Sequence, residues 1–156
     1  MRSAILATML LIGLARAAGP PSFAVVVHQS NPRVDLRLAE VRAYFGGSTT
    51  RWPNGSNVVA VERSSGSPAF RCLLERVLNM TASEYKRNLT RIEYSGGGRV
   101  NVKTLNTEGA ACKFVFNVPG AIALIETASL SLAECNGVQI VRVNGKLPGE
   151  EGYPLR

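Results

Sequence analysis

Residues 58–70 read VVAVERSSGSPAF, and the order of residue types in this stretch decides the architecture. Val58 to Val61 is an apolar, β-branched run without polar alternation, the pattern of a strand covered on both faces. Pro68 then opens a second apolar series, Phe70, Leu73, Leu74, Val77 and Leu78, spaced like one face of a helix, and proline suits a first helical turn. Arg63-Ser64-Ser65-Gly66-Ser67 lies between them. A loop from a strand into a helix leaves several backbone N–H groups without an intrahelical partner at one point, where the helix dipole also favours negative charge. Arg63 can offer a two-pronged contact to a tetrahedral anion, the serines add hydroxyls, and Gly66 permits close backbone approach. The stretch reads as an anion cradle with Arg63, Ser65, Gly66 and Ser67 as candidate ligands. The same residues also suit a loop whose hydroxyls only cap the next helix.

Upstream, Phe23 to Val27 is another doubly buried strand, ended by the polar loop His28 to Pro32. Leu38, Val41, Tyr44 and Phe45 mark a helix face that stops at Gly46-Gly47, and Trp52-Pro53-Asn54-Gly55 carries turn chemistry. Downstream, Thr81-Ala82-Ser83-Glu84 is a capping box that predicts a shorter helix. Tyr94 to Arg99 is Gly-rich, either a flexible connector or a second anion-contacting loop. A helix is expected from Thr107 to Asn117 with Pro119-Gly120 as its stop, and strands at Ala121 to Ile125 and Val138 to Val143. The Pro/Gly-rich tail, 146–156, is expected to be loosely held. Strands alternating with helices predict a single layered α/β domain, 23–145, with a mixed, partly parallel sheet flanked by helices.

The N-terminal stretch MRSAILATMLLIGLARAAG has a cationic start, an apolar run and small residues at Ala15 and Ala17, the layout of a secretory signal peptide over 1–17 with cleavage near Ala17. A buried amphipathic helix is the alternative; a membrane span would need a longer apolar run, about 20 residues, and no stable membrane insertion is expected after cleavage. The chain carries 18 basic and 11 acidic residues, and without Arg2 and Arg16 the formal charge is +5. That balance favours anionic partners, but no run of four cations occurs, so nucleic acid is not an expected partner. Cys72, Cys112 and Cys135 have no metal-ligand spacing and read as three buried thiols; if the chain is exported, one disulfide becomes possible, and Cys112 with Cys135 is the pair to test. Sequons occur at Asn54, Asn79 and Asn88.

The order Phe45-Gly46-Gly47, Trp52-Pro53-Asn54-Gly55, Val-rich strand, Arg63-Ser64-Ser65-Gly66-Ser67, Phe-and-Leu helix, Ser95-Gly96-Gly97-Gly98 and Pro119-Gly120-Ala121-Ile122 resembles small exported relatives of the periplasmic phosphate-binding proteins. These are substrate-binding components of phosphate ABC transporters with the type 2 periplasmic-binding-protein fold. The resemblance runs from about Phe23 to Gly145. It implies one lobe of that fold, phosphate or a similar oxyanion as ligand, and a transporter permease as partner. In that family two lobes close over the anion, and an Arg-x-Asp-Gly-Ser-Gly-Thr pattern supplies one wall. Arg63, Gly66 and Ser67 match it, whereas Ser65 stands for the Asp, Pro68 for the second Gly and Ala69 for the Thr. An Asp accepts from protonated phosphate; Ser65 both accepts and donates, which weakens selection against sulfate, Pro68 removes an N–H and Ala69 a hydroxyl. The family's opposite wall has no counterpart before Phe23. An interaction or scaffold module that has lost its ligand is therefore the competing expectation.

Enzyme classes find little support. His28 is the sole histidine and reads as a loop residue, Ser67 lacks a Gly-x-Ser-x-Gly setting and a later histidine, and no cofactor or metal is implied. Glu40, Glu75 and Glu84 read as solvated helix faces and Trp52 as a packing anchor.

Overall fold

The computed structural model describes residues 19–96 and 99–156; the expected signal peptide and Gly97-Gly98 lie outside them. Six strands, β1 (Phe23–Val27), β2 (Asp35–Leu36), β3 (Val59–Arg63), β4 (Val102–Leu105), β5 (Ala121–Glu126) and β6 (Gln139–Val143), form one sheet in the order β2-β6-β1-β5-β3-β4. β1 is antiparallel to both β5 and β6, whereas β2 is parallel to β6, and β3 is parallel to β4 and β5. β1 thus runs against the other five strands. The mixed sheet and α/β class expected from the sequence are those observed.

Alternation along the central strands builds two cores. Phe23, Val25 and Val27 of β1, with Ile122 and Leu124 of β5, face the layer made by α1 (Leu38–Gly46), α2 (Pro68–Cys72), which runs on into a π-helical turn (Leu73–Leu78), and α3 (Ala82–Tyr94). Ala24, Val26, Ala121, Ala123 and Ile125 face α4 (Glu108–Asn117). The alanines on this second face let α4 lie close to the sheet. Leu73, Leu74, Val77 and Leu78 are all buried in the π-helical turn, whose wider winding brings four apolar side chains onto one layer.

Several sequence expectations are corrected. Among the described residues the helix opened by the Thr81 capping box is the longest, at 13 residues, because Tyr85 and, one turn on, the half-buried Leu89 both anchor it on the core. β2 and β4 were not expected: β2 has two residues, and β4 is an edge strand whose Lys103 and Thr104 are exposed, so neither carries an apolar run. The C-terminal segment is not loose. Leu155 is fully buried and accepts from the Phe23 N–H at 2.9 Å, and the buried Tyr153 hydroxyl donates to the Phe23 carbonyl at 2.7 Å. Burial pushes the Tyr153 hydroxyl's pKa up, so it stays a donor at any physiological pH.

The three-thiol expectation is also corrected. Cys112 on α4 is bonded to Cys135, whose Cα lies 4.8 Å away, and only Cys72 among the three cysteines is free. The bridge ties α4 to the short 3-10 turn Ala133–Cys135 ahead of β6, where contacts between the two elements already hold the sulfurs together. Because it closes a loop over a separation of 23 residues, its reduction is expected to cost about 2–4 kcal/mol, seen as a lower urea midpoint in dithiothreitol that the Cys112→Ser/Cys135→Ser variant reproduces without reductant.

Candidate anion-binding site

Open α/β sheets place ligands at the carboxyl ends of strands where successive connections leave on opposite faces. Here β3 leads into α2 on one face, and its neighbour β4 leads into α4 on the other. That rule puts a ligand crevice at the ends of β3 and β4, between Ser64–Ser67 and Asn106-Thr107.

The first wall is a tight turn. Ser67 N–H donates to the Ser64 carbonyl at 3.1 Å, and Gly66 sits inside it at φ +87 with open space where a Cβ would stand, so the glycine is there for its backbone angle. Ser67 also caps α2, its Oγ accepting from Phe70 N–H at 3.1 Å. Its hydroxyl proton remains available. Ser65 and Gly66 are exposed, and among the described residues the N–H groups of Ser65, Gly66 and Ala69 have no hydrogen-bond partner. Pro68 interrupts this row of donors.

Arg63, the last residue of β3, leads into this turn and is only 8% exposed. Its guanidinium donates from Nη1 to the Leu105 carbonyl at 3.2 Å and from Nη2 to the Asn106 carbonyl at 3.0 Å. Nε faces Glu108 Oε1 at 3.3 Å, an ion pair in which the N–H is not aligned as a donor. Leu105 O also accepts from Ser64 N–H at 3.2 Å, so the two walls are stitched at their base. Arg63 has five N–H groups and spends two on carbonyls. Glu108 in turn accepts from the Glu126 N–H at 3.3 Å, linking β3, α4 and β5. Burial raises the Glu108 pKa, against the lowering by Arg63 and by the Glu126 N–H.

The structure thus brings Ser65, Gly66 and Ser67 into one turn with Arg63 at its start, and gives Arg63 a set of protein partners that sequence inspection did not find. Asn106 and Glu108 come from 43 residues and more downstream, and no local signal marks them. Cys72 is buried with its thiol pushed up to about 12, chiefly by desolvation, which holds it in the unreactive thiol form. The His28 ring bonds with Ser30 in its own loop. Among the described residues no group of His, Cys, Asp or Glu is placed to hold a metal ion, and no helix is long and apolar enough to cross a membrane.

Solved structures with this topology include a phosphate ABC transporter substrate-binding protein from Clostridium perfringens with bound phosphate, at TM-score 0.62 and 22% identity, covering 80% of this chain and 46% of that one. An ABC-type phosphate transport receptor from Vibrio cholerae matches at TM-score 0.63 and 17% identity, covering 81% and 47%. PstS from Borrelia burgdorferi matches at TM-score 0.70 and 14% identity, covering 86% and 54%. This is the fold of one lobe of a periplasmic phosphate-binding protein. The chain spans about half the length of these proteins. No family model and no curated protein matches the sequence.

The Arg63–Glu108 pair generates two expectations. Removing one partner leaves the other charge buried, so Arg63→Ala should cost about 3–5 kcal/mol; Arg63→Ala/Glu108→Ala should cost less than the sum of the single variants in urea denaturation. Because the folded state raises the Glu108 pKa, it binds a proton more readily than the unfolded chain. This contribution is fully present below the ordinary carboxylate range and is lost as pH rises through the raised value. Glu108→Gln, which cannot ionise, should flatten that part of the stability profile.

Proposed function

We propose that the protein is a non-enzymatic solute-binding protein that captures phosphate or a related oxyanion at the Ser64–Ala69 turn, using Ser65, Gly66 and Ser67 above Arg63. What carries the reading is the place of that turn: unspent N–H groups and hydroxyls stand at the switch-point crevice of a fold shared with phosphate-binding proteins. The unspent N–H groups of Arg63 supply positive charge at its base. An ABC transporter permease is the partner this reading names. Export after removal of residues 1–17, to the periplasm or beyond, is part of the same proposal, and the Cys112–Cys135 bridge supports it, since such bonds persist in oxidising compartments.

A second reading, an interaction module without a ligand, draws support from the engagement of Arg63 with Leu105, Asn106 and Glu108 and from the donor lost at Pro68.

Calorimetric titration with phosphate and with sulfate separates the two. Arg63→Ala is unsuited to this test because it breaks a buried pair, whereas Ser65 is exposed and free of structural bonds among the described residues. Ser65→Ala is expected to weaken phosphate binding by about 1 kcal/mol. Ser65→Asp is expected to favour phosphate over sulfate, since the carboxylate accepts from the protonated anion and repels the one without a proton. Absence of heat with either anion up to millimolar concentration would sink the capture reading and leave the interaction module.

A further inference from the structure

Two features take no part in the cradle, the Trp52-Pro53-Asn54-Gly55 turn and the cationic end of the Gly-rich loop, and they meet at the opposite end of β3. A cleft of about 510 Å³ opens there, lined by Thr50, Arg51, Asn57, Val58, Arg99 and Asn101. Its lining holds two guanidinium groups and no carboxylate, and among the described residues neither arginine belongs to an ion pair. Arg51 donates once, to the Gly55 carbonyl at 3.0 Å, which leaves most of its donors unspent.

The backbone around the cleft is set in advance. Trp52 is 2% exposed, packs on Tyr44 with ring centroids 4.4 Å apart, and donates from Nε1 to the Gly120 carbonyl at 2.9 Å. Within the turn, Trp52 N–H donates to Ser56 O and Gly55 N–H to Trp52 O, both at 2.8 Å, while Asn54 Oδ1 accepts from the N–H and the hydroxyl of Ser56. Val58 N–H donates to Thr50 O at 2.9 Å and Ala60 N–H to Asn101 O at 2.9 Å, fixing both walls to β3. Even the approach of Gly120 is specified, because a Cβ there would lie 2.3 Å from the Asn57 carbonyl. A wall ordered before binding leaves less ordering cost for a ligand to offset.

We propose that this cleft is a second anion site, separate from the cradle, and that it takes a phosphate monoester with a small polar body. Two guanidinium groups match the dianionic phosphate, and the Asn57 and Asn101 amides can both donate to and accept from hydroxyls on the body. The volume is within the range of small-molecule pockets, about 300–1,000 Å³, which leaves room for more than a bare ion. The site stands independently of the cradle, since Val58 and Arg63 are separated by roughly 16 Å of strand.

The test is a backbone-amide NMR titration of the whole chain with glycerol 3-phosphate, with glycerol as the uncharged control and inorganic phosphate as the bare anion. Saturable shifts at Thr50–Val58 and Arg99–Asn101 with glycerol 3-phosphate, and none with glycerol, are expected. Arg51→Ala/Arg99→Ala should weaken binding about tenfold or more, and Arg99→Glu, at an exposed position, should do so without touching the turn; Ser65→Ala should leave it unchanged. Shifts confined to 63–69, no shifts at millimolar ester, or binding indifferent to both arginine variants would overturn the site. Inorganic phosphate binding as tightly as the ester would overturn the assignment of an ester.

Discussion

The burial of β1 and β5 on both faces is the constraint on which the molecule depends. Every residue of β1 is buried, as are the first five of β5, so each strand must satisfy two different cores through its alternating side chains. Phe23, Val25, Val27, Ile122 and Leu124 meet the three-helix layer, while three alanines with Val26 and Ile125 meet α4, and a shift of register by one residue would exchange the two sets. That fixes α4, and α4 fixes Glu108, whose carboxylate then waits under the end of β3. The charged floor of the crevice is a consequence of apolar alternation two strands away.

Much of this was legible in the residues. The strands that form the middle of the sheet announce themselves as β-branched runs, because a strand covered on both faces cannot afford polar side chains. α2 opens at Pro68 as its apolar series indicated, with Ser67 capping it, while Thr107, read as the first residue of α4, instead caps that helix. What was not legible depends on contacts distant in sequence. β4 exists because β3 offers it an edge, not because Val-Lys-Thr-Leu demands a strand. Tyr153 and Leu155 look like any tail until Phe23 is placed beneath them. Cys112 and Cys135 read as thiols until α4 and the 3-10 turn before β6 are packed together.

The site divides along the same line. The loop chemistry of Ser65, Gly66 and Ser67 is local and was visible from the strand-loop-helix order. The partners of Arg63 are not, and they change its character: a residue that looked free to clasp an anion also knits the ends of β3 and β4 together. Binding and cohesion are thus asked of one guanidinium, which donates to two carbonyls and faces the Glu108 carboxylate through Nε.

The bond between Phe23 and Leu155 gives the chain path an unusual economy. Phe23 and the Tyr153–Leu155 segment are neighbours, so residues 23–155 trace a nearly closed circuit through the domain. A unit whose first strand and closing segment lie side by side can be spliced into a loop of another protein while keeping the β1 register and both cores intact.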